Sequence, residues 1–383
     1  MITSVSGAGA TPADVSVPAG ETPAAAPPPS PQGLPAPTGD AMSRLAELLG
    51  TPHHAQYSAK RGPGGLATAK SAALAGAELP GQKGVTIQRE LGDPKGYDTK
   101  NHALAWARAA GSDTAMVVQS RDGRWHAVVT DKVARNASGG TGKVVSAIHV
   151  GKVDMATYQS LRNEAMKAND PAKWKAFAAY ALGLPESEIN IVRKGETPSH
   201  AHVNINLSPD FDAEGKTSGF DPKNPPWVQL GPAAFDRPAN AAATLAHEEV
   251  HADHHRLTSR LFSDYAAHAK NPTNMGFRKW VLEKHDVRTA DIVGGYQDGK
   301  ANAATELEAH VEAARVAFSS GDLAQARTDL YKVATLPNMP LLQTQLHSVK
   351  LLQQLRDALS ADARKVFDDV VQHAKRSPVL KGL

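Results

Sequence analysis

The chain contains no cysteine among its 383 residues. Disulfides, thiolate-ligated zinc, iron–sulfur clusters and cysteine nucleophiles are therefore excluded, and any metal must be held by His, Asp or Glu. Aromatic residues make up only 5% of the chain against a hydrophobic fraction of 41%, so the core must be built mainly from alanine and aliphatic side chains. No apolar run approaches the ~20 residues of a membrane-spanning helix. An excess of one charge is missing too: 42 Lys and Arg stand against 39 Asp and Glu, a net +3. With no dense basic patch, nothing points to nucleic acid as a partner. The G-x-S-x-G elbow, the Walker phosphate loop and a dinucleotide-binding glycine run after a strand are all absent.

Residues 1–40 are Pro, Ala, Gly, Ser and Thr with almost no large apolar side chains. Such a segment cannot offset its ordering entropy and is expected to be a disordered tail. It lacks the basic start and apolar centre of a Sec signal peptide. Its composition resembles the Ser- and Pro-rich leaders of bacterial type III effectors. That resemblance implies a secreted protein delivered into the cytoplasm of a host cell, with the tail as a binding segment for a secretion chaperone. The plainer reading is a flexible tail alone.

The rest divides into a short helix (Ala41 to Leu49) and loop linker over 41–84, an α+β region over 85–195, a core over 196–320 and a helical region over 321–383. Within 85–195 a helix is expected from Asn101 to a stop at Gly111, and Asp122-Gly123 between two β-rich runs marks a hairpin. A strand is expected over 144–150. Two helices follow, the second closed by Gly183 and Pro185. "HVNINLS" alternates, with Val203, Ile205 and Leu207 on one side and His202, Asn204 and Asn206 on the other. "SPDFDAEGKTSGFDPKNPP" reads as a long polar loop and "WVQLGPAAF" as a short strand. One long helix then begins near "DRPAN", with Asp236 as its N-cap and Pro238 in the tolerated first turn. Helices fill the remainder. Strands first and helices after is the pattern of an α+β domain.

The chemistry concentrates in "AATLAHEEVHADHH", Ala242 to His255. His247-Glu248-Glu249-Val250-His251 is an H-E-x-x-H on a helical stretch. Residues four apart share a helix face, so His247 and His251 can hold one Zn²⁺. Glu248 then lies beside the metal's open position, placed as a general base for water. Glu249 and Val250 read as spacers. His254 and His255 read as exposed or as outer supports of the ligands, because a third imidazole so close along one straight helix does not complete a tetrahedron. His102, His126, His149 and His202 read as surface or internally satisfied histidines.

Downstream, Glu306, Leu307, Glu308, Ala309 and His310 form the "ELEAH" of "TELEAH". Together with H-E-x-x-H this resembles the gluzincin metallopeptidases, whose third ligand is a Glu on a later helix, often within E-x-x-A-D or E-x-x-A-N. The match runs as far as Ala309, and His310 replaces the final Asp or Asn. The resemblance implies Glu306 as third ligand, with Glu308 as the alternative register. It implies a zincin-like domain with a small N-terminal sheet, a long active-site helix and a mostly helical C-terminal half. It also implies an edge strand that binds extended peptide, in the place of "WVQLGPAAF", and an oxyanion-stabilising side chain, for which Tyr296 and His310 are candidates. The activity implied is a zinc endopeptidase acting on a protein of the target cell. Two rivals remain open: a zinc hydrolase of a non-protein amide such as cell-wall material, and a non-catalytic helical interaction protein with a vestigial motif.

Overall fold

A computed structural model describes residues 74–218, 221, 223–297, 303–336 and 342–373. The expected tail (1–40), the helix from Ala41 to Leu49 and most of the linker lie outside them. The described residues all belong to one compact unit, Tyr57–Leu383, and the architecture is mixed α+β, as read from the sequence.

The first layer is an antiparallel six-stranded sheet in the order β1-β2-β4-β3-β6-β5. Its strands are β1 (Glu78–Leu79), β2 (Gln82–Leu91), β3 (Ala115–Ser120), β4 (Trp125–Thr130), β5 (Ala137–Ser138) and β6 (Val144–His149). The Asp122-Gly123 turn joins β3 to β4 as expected, with Gly123 at φ +87°. In β3 the period of two sends Met116 and Val118 into one apolar cluster and Val117 into another. Both faces of the sheet are therefore covered, which is why "AMVVQS" reads as a continuous rather than an alternating run. Helix α1 (Lys100–Ala109) packs on β3 and β4. It is capped at its start by Thr99 and is buried along both sides.

Helices α2 (Met155–Ala168) and α3 (Pro171–Leu182) lead into a second sheet of β7 (Ile189–Val192), β8 (Val203–Asn206), β9 (Gly215–Thr217) and β10 (Val228–Leu230). Gly183 closes α3 in the left-handed conformation, as expected. The strand order is β7-β8-β10-β9. Neighbours β7, β8 and β10 run parallel, and β9 pairs antiparallel to β10. One expectation is corrected here. "WVQLGPAAF" is not an edge: its strand Val228–Leu230 lies between β8 and β9, and a 3₁₀ turn starts at Pro232. The edge comes from the stretch read as loop, because Gly-Lys-Thr carries no apolar alternation to announce a strand. Polar residues of β8 are buried as well. Asn204 is fully buried, and its amide donates to the Val228 and Ser199 carbonyls, while Asn206 bonds Gln229.

The long helix α4 (Pro238–His268) crosses behind this sheet. Its N-cap is Arg237, with no capping side chain, rather than Asp236. Asp236 instead ends the preceding 3₁₀ turn and accepts a hydrogen bond from Arg162. Helices α5 (Asn274–Lys284), α6 (Val287–Gln297), α7 (Ala303–Ser320), α8 (Leu323–Thr335), α9 (Leu342–Ala358) and α10 (Ala361–His373) complete the fold. Among the described residues no helix is long and apolar enough to cross a membrane.

A buried ionic network joins α1 to α4 and α7. His102 places Nδ1 3.4 Å from Asp253 Oδ2 and Nε2 3.1 Å from Glu312 Oε1. The ring of Tyr97 stacks on it at 4.2 Å. Trp106 and Arg315 also donate to Glu312, Arg256 donates to Asp253, and Thr99 donates to Glu249 at 2.8 Å. Burial opposes a charged His102, but the hydrogen bonds and charges of Asp253 and Glu312 outweigh it and lift its pKa from 6.5 to about 9. For a raised pKa, the stabilisation is complete below the unfolded value and is lost as pH rises through the folded one. A shift of this size corresponds to roughly 3 kcal/mol. Urea unfolding of the metal-free protein is expected to show this loss between pH 6.5 and 9, and His102→Gln to remove it. Parallel stability curves for the two proteins across that window would contradict the assignment.

Candidate metal centre

The helical spacing of H-E-x-x-H puts His247 and His251 one turn apart on α4, where their Nε2 atoms lie 3.1 Å from each other. Helix α7 packs along α4 and brings Glu306 opposite them. Its Oε2 is 3.6 Å from His247 Nε2 and its Oε1 is 3.4 Å from His251 Nε2. Ligands about 2.0–2.2 Å from a tetrahedral zinc stand about 3.3 Å from each other. Each histidine is near that spacing from one of the two Glu306 oxygens, and the donor types, two imidazoles and a carboxylate, suit the ion. His310, one turn after Glu306, extends the set. His247, Glu306 and His310 each offer an atom within 4.8 Å of the others. The His310 Nε2 is 3.7 Å from Glu306 Oε2, and its ring is 4.5 Å from that of His247. The pairs involving His251 are the tighter ones, so His247, His251 and Glu306 form the inner three, and His310 stands beside them on the cleft wall.

The protonation state of His247 suits metal binding. Burial, then the neighbouring His251 and His310, hold His247 far below the usual imidazole pKa, so it is neutral and has a free lone pair to offer. Burial likewise opposes charge on His251 and Glu306. Their mutual hydrogen bond wins, raising His251 and lowering Glu306.

Glu308 is turned elsewhere. It accepts hydrogen bonds from Arg288 and from His254 Nε2 at 2.9 Å. The register that uses Glu306 is therefore the one that faces the two α4 histidines. His254 and His255 are both buried, which removes the exposed reading and leaves that of outer supports. Glu249, read as a spacer, is 2% exposed and held by Thr99. Tyr296 lies on α6, and its side chain is outside the described ones.

Glu248 sits where the cleft meets β9. Burial pushes its carboxyl up to about 7, while His251 and the Thr217 hydroxyl pull the other way. Thr217 Oγ1 is 2.7 Å from Oε2 and 3.0 Å from the Glu248 carbonyl oxygen. A Cβ on Gly215 would stand 2.6 Å from Glu248 Oε1 and 2.7 Å from its Cγ. Only glycine leaves room there. Gly215→Ala is expected to keep the fold but to displace the Glu248 carboxyl, lowering any activity that depends on Glu248 by about 100-fold, the scale of an ångström-level displacement of a reacting group. Unchanged turnover would show that the Glu248 position does not matter at this precision. Thr217 and Gly215 were invisible in the sequence, since neither belongs to a motif.

The cleft holds about 190 Å³ and is lined by Glu214, Gly215, Thr244, His247, Glu248 and His310, with Gln325, Asp329 and Lys332 on the α8 side. Asp329 Oδ1 stands 3.8 Å from His310 Nδ1, and Gln325 donates to Asp329. No family model, curated protein or solved structure matches this chain.

One further constellation imitates a catalytic triad. Ser120 Oγ is 3.1 Å from His126 Nε2, whose Nδ1 is 3.0 Å from Glu90 Oε2. The Ser120 hydroxyl, however, also contacts Asp122 at 2.5 Å and the Arg124 carbonyl, and the Gly96 backbone closes over the His126 ring. With Ser120 and His126 both buried, the arrangement ties the hairpin together rather than presenting a nucleophile.

Proposed function

We propose that this protein is a zinc-dependent endopeptidase with a zincin-like core of the gluzincin kind. The observation that carries the reading is the convergence of His247, His251 and Glu306 beside the buried carboxyl of Glu248. The metal, when bound, supplies the Lewis acidity that makes water a competent nucleophile near neutral pH. Glu248 takes a proton from that water and passes it to the leaving amine. His310, on the cleft wall and backed by Asp329, is placed to donate a hydrogen bond to the oxygen of the attacked carbonyl.

Strand β9 supports a peptide as the substrate. Glu214 and Ser218 direct their main-chain groups at β10, through Gly231 N to Glu214 O and Ser218 N to Trp227 O. By the antiparallel alternation, Gly215 and Thr217 turn theirs to the open edge. An extended peptide adds there as a further strand and passes Glu248. The composition of residues 1–40 supports secretion and delivery into a host cell, where the substrate would be a host protein.

Two measurements test the reading. Metal analysis of purified protein is expected to give one zinc per chain, to fall below a tenth of that in Glu306→Gln, and to stay near one in Glu308→Gln. Incubation with host-cell lysate is expected to create new peptide termini. A chain without zinc, or a lysate with no new termini, removes the proposal.

A further inference from the structure

The ionic network on α1 lies on the far side of the two helices that carry the metal-binding residues. Asp253 follows His251 by two residues, and Glu312 follows His310 by two. Each step is about 200° of helix rotation, so both carboxylates point away from the cleft. His102 bridges them, at 3.4 Å to α4 and 3.1 Å to α7. A second grip comes from the same turn of α1: Thr99 holds Glu249, one turn before Asp253 on the same ridge of α4. Arg256 and Arg315 complete the charge balance, and Arg315 also lies over the Trp106 ring at 5.3 Å.

A network of this kind is a poor way to gain stability alone. Burying several charges costs desolvation that apolar side chains of the same volume would not incur. What ion pairs and hydrogen bonds add is direction. Apolar packing between α4 and α7 tolerates small rotations and slides, whereas a ring with its two nitrogens on two helices does not. The metal-binding residues need that restriction, because His247 and His251 come from one helix and Glu306 from the other. The helices are otherwise rich in alanine, which fixes register weakly.

From this geometry we infer that His102 is a positioning residue for the metal centre: by bridging Asp253 and Glu312 it sets the register of α4 against α7 and so the spacing of His247, His251 and Glu306. The inference rests on the metal-binding reading above. It gives the six-stranded sheet a role in that centre, since the sheet and α1 present His102 to the two helices.

The test uses the full-length protein and reads the metal rather than turnover. Zinc dissociation constants are measured by chelator competition, and the visible absorption of the cobalt-substituted protein is recorded, for wild type, His102→Ala, Glu312→Gln and Leu104→Ala. Leu104 is a buried apolar residue of the same helix outside the network, so Leu104→Ala controls for loss of stability. The expected result is an affinity about 10-fold weaker in His102→Ala and Glu312→Gln, the scale seen for groups that support metal ligands. Their cobalt bands should shift, while Leu104→Ala keeps wild-type affinity and bands. Should His102→Ala fail to fold, Glu312→Gln breaks the same bridge from the other side. Affinities within two-fold of wild type in the bridge variants overturn the inference, as does an equal loss in Leu104→Ala. A wild-type protein that takes up neither metal overturns the metal reading itself, and the inference with it.

Discussion

Glu248→Gln is expected to leave the protein folded and zinc-loaded while lowering peptide hydrolysis by about 10²–10⁴-fold, the range of a lost general base. Glutamine keeps the volume of the side chain and an acceptor for the Thr217 hydroxyl, so the wall between β9 and α4 stays intact. It cannot take a proton. It also removes a buried carboxyl whose charge is opposed by its surroundings, which hold it up at about 7. In the metal-free protein the variant should therefore gain stability relative to wild type as pH rises from about 4.5 to 7, with the full difference present above pH 7. The sign follows from linkage: a carboxyl with a raised folded pKa costs the native state more as pH climbs past the unfolded value. Comparing turnover, zinc content and thermal midpoint on one preparation separates the roles. Loss of hydrolysis with zinc retained assigns Glu248 to the chemistry. Loss of zinc with hydrolysis would place it in metal binding, and unimpaired hydrolysis would remove it from the mechanism.

The parts of the site that could be read from the sequence are those whose chemistry is local. His247, Glu248 and His251 lie within one helical turn and a half, and their spacing alone puts the two imidazoles on one face. Glu306 was reachable because its neighbours resemble a known ligand motif, although only the structure turns Glu308 toward Arg288 and His254. What remained hidden is non-local or unpatterned. Gly215 and Thr217 belong to a three-residue strand with no apolar alternation, and their value lies in touching Glu248 some thirty residues on. His102 sits in an alanine-rich helix and reads as an ordinary satisfied histidine. Its partners are 151 and 210 residues away, a pairing that no window of sequence contains. The Asp236 cap failed for a related reason, since Arg162 on a distant helix claims its carboxylate. The α+β class survived these errors because it depends on the order of patterned segments, and an N-cap displaced by one residue does not alter that order.

A chain that begins at Val153, without the six-stranded sheet and α1, is expected not to fold. The large apolar side chains Leu91, Tyr97, Leu104, Trp106, Val117 and Val129 share one core cluster with Phe177, Ile205, Leu230, Phe235 and Leu245. Burying a side chain of this size is worth about 1.5–3 kcal/mol, so the six contribute on the order of 10 kcal/mol or more. Even if half of that arises within the removed segment, the remainder rivals the roughly 5–15 kcal/mol by which a whole domain is stable. The ionic network is lost with it: Glu249, Asp253 and Glu312 give up Thr99, His102 and Trp106, while Arg256 and Arg315 stay behind. The uncovered faces of α4 and α7 are rich in alanine and would favour association over a monomeric fold. The shortened chain should show no cooperative melting transition and no stoichiometric zinc. If it melts cooperatively and binds one zinc per chain, the metal centre is independent of the sheet, and the register of α4 against α7 must be set from within the helical half.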